Sequence, residues 1–84
     1  MNGWGGMRDA TVAVIYNPVR IDVPRVRAAV EAAAERAGGV DLIWFETTPD
    51  EGGQAQAREA LSRGATLVLA AGGDGTVRAV AEAL

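Results

Sequence analysis

The chain contains no cysteine, no histidine and no lysine. Without cysteine there is no disulfide, no thiolate nucleophile and no thiolate metal site. Without histidine the commonest general base and the commonest zinc ligand are missing. All eight cations are arginines, which excludes a Gly-x4-Gly-Lys-Ser/Thr phosphate loop and a Schiff-base lysine. No apolar run approaches the roughly 18 residues that cross a bilayer. Any chemistry must come from carboxylates, hydroxyls, arginines, backbone amides or a bound metal.

What is present fits a small folded unit. Of the 84 residues 49% are hydrophobic, and the formal charge is −3. That composition belongs to a globular domain. A mildly acidic chain is a poor nucleic-acid surface, so no nucleic-acid partner is expected. A local anion site stays open, because backbone N–H groups bind anions without net charge. Met1 to Gly6 include three glycines, which predicts a flexible leader over residues 1–10 rather than a signal peptide. A cytoplasmic location follows as an expectation.

The run Thr11–Tyr16 is rich in β-branched residues and is stopped by Asn17-Pro18, predicting a first strand buried on both faces. Asp22 offers an N-cap and Pro24 suits the first turn of a helix over 25–37. There Val26, Ala29, Val30, Ala33 and Ala37 share one face, with Arg27, Glu31 and Glu35 on a solvated one. Gly38-Gly39 ends it. Leu42–Phe45 predicts a second strand, with Trp44 and Phe45 in the core on opposite sides. A loop over 47–53 leads to a helix over 54–62. Thr66–Ala71 predicts a third strand, and a third helix starts near Thr76. The order β-α-β-α-β-α with apolar strands implies an α/β fold, a parallel sheet flanked by helices. Val77, Val80, Ala81 and Leu84 form an apolar stripe with no stop signal, which predicts that residues 11–84 are part of a larger lobe truncated at the C-terminus.

The turn Gly72-Gly73-Asp74-Gly75-Thr76 joins the third strand to the third helix. In open α/β sheets ligands bind at this edge. Glycine lets a ligand approach the backbone closely, and a helix start offers free N–H groups and a positive dipole end to a phosphate. A carboxylate beside a phosphate is repulsive unless Mg²⁺ lies between them; Asp74 could instead take a proton from a substrate hydroxyl. The plainer role for Asp74 or Thr76 is to cap the helix. The turn is no dinucleotide fingerprint, since Arg78 stands where the third glycine would be. Thr48-Pro49-Asp50-Glu51 has the form of a capping box, and Asn17 that of a turn residue.

Gly72 to Thr76 after an apolar strand resembles the signature shared by diacylglycerol, sphingosine and ceramide kinases, bacterial lipid kinases and NAD kinases. Tyr16-Asn17-Pro18 resembles the Asn-Pro that opens the diacylglycerol kinase catalytic domain. Thr47-Thr48 followed by Gly53-Gln54-Ala55 is similar to that family's threonine with a downstream glycine-x-alanine. The resemblance covers nearly all of the chain from Thr11. It implies a partial nucleotide-binding lobe of the NAD kinase/diacylglycerol kinase-like fold and transfer of phosphate from Mg-ATP to a lipid hydroxyl. Asn17, Pro18, Thr48 and Gly72, Gly73, Asp74, Gly75 and Thr76 would bind nucleotide, with Asp74 catalytic and beside the metal.

Two departures stand out. The loop after Asn-Pro has Val19-Arg20-Ile21-Asp22 where many members have small residues and a glycine; Arg20 suits a phosphate. Where many members follow the turn with Asn-Glu, this chain has Arg78-Ala79, which implies that a nucleotide contact of that Asn is lost or taken over by Arg78. The family's second Gly-Thr-Asn loop, β-rich lipid-binding domain and proposed general base would lie beyond Leu84. The fragment would then be inactive alone, and the full-length protein would touch the membrane peripherally. Two alternatives stay open: an NAD kinase-like phosphotransferase and a non-catalytic nucleotide-binding module.

Overall fold

The β-branched run becomes the centre of the sheet. The computed structural model describes residues 10–84, and in it Thr11–Tyr16 forms β1. Val12, Ala13, Val14 and Ile15 are each no more than 5% exposed. Branched side chains stiff at χ1 suit a strand covered on both sides. After β1 come α1 (Val23–Arg36), β2 (Asp41–Glu46), α2 (Gln54–Ser62), β3 (Leu67–Ala71) and α3 (Asp74–Ala83), in the order the sequence predicts. The leader expected over residues 1–10 lies, apart from Ala10, outside the described residues.

The sheet order is β2-β1-β3, and both pairs are parallel. Tyr16 is level with Glu46 on one side and with Ala71 on the other. All three strands therefore finish at one edge, and the loops after them leave side by side. Backbone bonds carry the pairing one step further: Asn17 N–H donates to Ala71 O at 2.9 Å and Thr47 N–H to Tyr16 O at 2.9 Å.

The two faces of the sheet are unequal. On one, Ile15 packs with Ala57 of α2 and Val80 of α3, joined by Phe45, Val68, Ala70 and Ala83. Small alanines let both helices sit close to the strands. Full burial of Ile15 alone contributes about 2–3 kcal/mol. On the other face α1 has no fully buried residue. Between it and the sheet runs an apolar groove of about 280 Å³ lined by Val12, Val30, Leu42, Leu67 and Leu69 among others. Leu67 and Leu69 of β3 are 48% and 37% exposed there. Trp44 is half-buried on this face, edge-on to Tyr16 at 6.0 Å. Arg27 lies over the Trp44 ring at 4.5 Å, so the expected solvated row of Arg27, Glu31 and Glu35 is not wholly free.

Helix boundaries differ from expectation where caps decide them. Asp22 caps α1 by accepting from Arg25 N–H at 3.2 Å, so the helix begins at Val23. α3 begins at Asp74, two residues earlier than predicted, because Gly73 is its extended N-cap. Gly75 lies in the first turn without a positive φ, so its cost there is the backbone entropy of ordering a glycine.

Candidate functional site

The level strand ends bring three loops together. Asn17-Pro18-Val19-Arg20 follows β1, Thr47–Gly53 follows β2 and Gly72-Gly73 follows β3. A cavity of about 370 Å³ is lined by Asn17, Arg20, Gly73, Asp74, Gly75 and Thr76. A second, of about 490 Å³, is lined by Asn17, Pro18, Val19, Arg20, Glu46, Thr47, Thr48 and Pro49. Asn17 and Arg20 border both. The two cavities thus form one ledge along the carboxyl edge of the sheet.

The β1 loop is held by its own asparagine. Asn17 Oδ1 accepts from Val19 N–H at 3.0 Å, and Asn17 O accepts from Arg20 N–H at 3.0 Å. The turn-forming role expected of Asn17 is present, and it spends the side-chain oxygen. The amide NH₂ is left as the group Asn17 can offer to a ligand.

At the other end of the ledge α3 starts without help from any side chain: no polar group caps Gly73. Neither Asp74 nor Thr76 takes the capping role. Asp74 is exposed in the first turn, and Thr76 is buried at 4%. Thr76 N–H donates to Gly73 O at 3.1 Å, so the Asp74 and Gly75 amides and the positive dipole end are what α3 offers on the cavity side. Gly72 explains itself sterically. A Cβ there would lie 2.8 Å from Thr76 Oγ1 and 3.1 Å from Asn17 Cβ. Across the turn, Arg20 Nε would be 3.8 Å from a Cβ on Gly73, which puts a guanidinium against the glycine backbone. Among the described residues Arg20 has no ion-pair partner; the two bridges present are Arg27–Glu31 and Arg63–Glu59.

Thr48 does not start a helix, because α2 begins only at Gln54 behind Gly53, whose φ is 137°. The capping-box bond forms all the same, as a closed turn. Thr48 Oγ1 accepts from Glu51 N–H at 3.0 Å, and Thr48 N–H donates to Glu51 O at 2.9 Å. Glu51 in turn caps α2, accepting from Ala55 N–H at 2.9 Å.

The structure therefore gathers Asn17, Pro18, Thr48, Gly73, Asp74, Gly75 and Thr76 along one ledge, with Gly72 as the packed floor of its turn. Arg78 is exposed one turn further along α3 and lines neither cavity. Glu46 is the last residue of β2. Its pairing with Tyr16 places it at the edge, where its carboxylate accepts from the Tyr16 hydroxyl at 3.3 Å. Arg20 had a weak signal, a lone cation in a loop next to Asn-Pro.

The donor set matches a polyphosphate: uncapped helix amides, bare glycines and a free guanidinium. A magnesium ion fits only in company. Among the described residues no group of three or more acidic, histidine or cysteine side chains could hold a metal. Asp74 alone would supply one ligand, which is the usual protein share when phosphates and water provide the rest. No helix of the described residues is long and apolar enough to cross a membrane.

The diacylglycerol kinase catalytic domain family matches residues 11–84. A protein of Pseudomonas fluorescens described as a probable YegS-like lipid kinase is 51% identical over 59 residues, which is 70% of this chain and 19% of that relative. Two Pseudomonas aeruginosa proteins of the same description are 48% identical over 59 residues, again 70% of this chain and 19% of each relative. No solved structure gives a significant match. The match runs from the first strand to the last residue and takes in the whole glycine turn, and the chain belongs to the diacylglycerol kinase catalytic domain family.

Proposed function

We propose that the protein transfers a phosphoryl group from Mg-ATP to a lipid hydroxyl and that this chain supplies its nucleotide-binding ledge. The observation that carries the reading is the pair of cavities sharing Asn17 and Arg20, with uncapped helix amides at one end and the Thr48 turn at the other. The relatives' description as probable lipid kinases supports the lipid as acceptor. Because the alignment covers 19% of their length, the activity of the whole protein and its lipid partner are part of the proposal. So are a peripheral membrane contact and the inactivity of these residues taken alone.

In this reading the first-turn amides of α3 and the Arg20 guanidinium hold the phosphates, and the bare backbone of Gly73 and Gly75 allows them to come close. Thr48 through its O–H and Asn17 through its side-chain NH₂ orient the remainder of the nucleotide. The phosphate charge would be neutralised in part by magnesium when it is bound. Asp74 would be its protein ligand, or else the acceptor of the lipid hydroxyl proton. Such catalysis is mostly positioning and charge neutralisation, so a lysine-free site is chemically adequate. Arg78, outside both cavities, is left out of the contact set.

The test is a Mg-ATP titration of the full-length protein followed by amide shifts. Movement centred on Gly72–Thr76, Asn17–Arg20 and Thr48 supports the ledge. A folded sample with no movement at these loops removes it.

A further inference from the structure

We propose that Gln56 is a positioning residue for the nucleotide, acting through Thr48. This rests on the reading of the Thr48 turn as part of the nucleotide site. Gln56 lies in the first turn of α2, partly buried. Its Nε2 donates to two backbone carbonyls, Glu46 O at 3.0 Å and Glu51 O at 3.3 Å. Glu46 ends β2, and Glu51 closes the turn in which Thr48 Oγ1 accepts from Glu51 N–H. One side-chain amide therefore ties both ends of the segment that carries Thr48. The threonine oxygen is already engaged as acceptor, so its hydroxyl proton is what it can direct into the cavity.

The other half of the same side chain points to this role. Gln56 Oε1 is buried and has no hydrogen-bond partner. An unpaired buried acceptor is costly. An apolar side chain of equal length would fill the space without that cost. What the position uses is the two-pronged donor, and the donor's targets are the ends of the Thr48 turn.

The test is a double-mutant cycle in the full-length protein, reading the ATP dissociation constant and the melting temperature. Gln56→Met keeps volume and removes the donor. It is expected to weaken ATP binding about 3- to 10-fold, the range of one lost hydrogen bond. Thr48→Ala is expected to do the same. The double variant should be no weaker than the worse single one, because the two act on one contact. Should Gln56→Met not fold, Gln56→Leu removes the donor without adding a charge in the same cycle. An unchanged ATP affinity in the folded Gln56 variant overturns the proposal. So do losses that multiply in the double variant, which would mark Gln56 as merely stabilising. If the wild type binds ATP and Thr48→Ala binds it equally well, the positioning role falls while the ledge stands. If the wild type binds no ATP, the nucleotide reading itself falls.

Discussion

Gly72 and Thr76 compete for the same space: a Cβ on the glycine would lie 2.8 Å from the threonine hydroxyl. Helix α3 therefore rises against the very turn that precedes it, and Thr76 is the post it rests on. Gly72→Ala should shift this post and Asn17 together, at a cost of about 1–3 kcal/mol and with weaker ATP binding. Gly75→Ala is the matched comparison. Its Cβ meets nothing within 4 Å, and it lies in the helix, so stability should hold or rise by about 0.5–1 kcal/mol. Thermal melts of the two variants separate these outcomes. Equal destabilisation would contradict the packing described.

Asp74→Asn keeps shape and removes charge from an exposed first-turn position. The fold should survive, losing at most about 1 kcal/mol of helix-dipole interaction. Phosphotransfer by the full-length protein should drop by about 100-fold or more, in line with loss of a group that acts on transition-state charge. Near-normal turnover would take Asp74 out of the chemistry.

Arg20→Ala should weaken ATP about 10-fold or more, the range for a charge-assisted hydrogen bond to phosphate, and should hardly affect adenosine. Arg20→Lys should recover only part, because the planar fork is lost. Arg78→Ala is expected to change ATP affinity by less than about twofold, as for a surface position remote from the ledge. If Arg78 proved the stronger of the two by calorimetry, the assignment of the phosphate cation would have to move.

The sequence carried the architecture well because its signals were local. The alternation of β-branched runs with capped, glycine-stopped helices located α2 to the residue, and all six elements in order. It carried the ledge less evenly. Gly72 to Thr76 announced itself, since a glycine cluster around an acid has few purely structural uses. The sharing of both cavities by Arg20 did not, because it depends on β1 and β3 ending level across a crossover. Thr48 kept its capping bond but not its helix, since Gly53 at φ 137° delays α2 and leaves a free-standing turn. Gln56 gave no signal at all. Its partners are carbonyls brought near by the strand-to-helix path, and no side-chain pattern encodes them.

Ile15→Ala probes the scaffold under the site. Ile15 is fully buried between α2 and α3, so the variant should lose about 2–5 kcal/mol. Ile15→Val should lose about 0.5–1.5 kcal/mol. Denaturant titration with unchanged slope would assign both losses to the native core.

The inequality of the two sheet faces sets an order of opening. With no fully buried residue on α1, lifting that helix away uncovers Val12 and Val14 of β1 beneath it, beside Leu67 and Leu69 that are already partly open. Lifting α2 or α3 would expose Ile15, Ala57 and Val80 at once. Amide protons of α1 should thus exchange with solvent well before those of β1, through fluctuations that never reach global unfolding. The glycine turn is carried by the slower-exchanging half, so it can keep its shape while the opposite side of the sheet breathes.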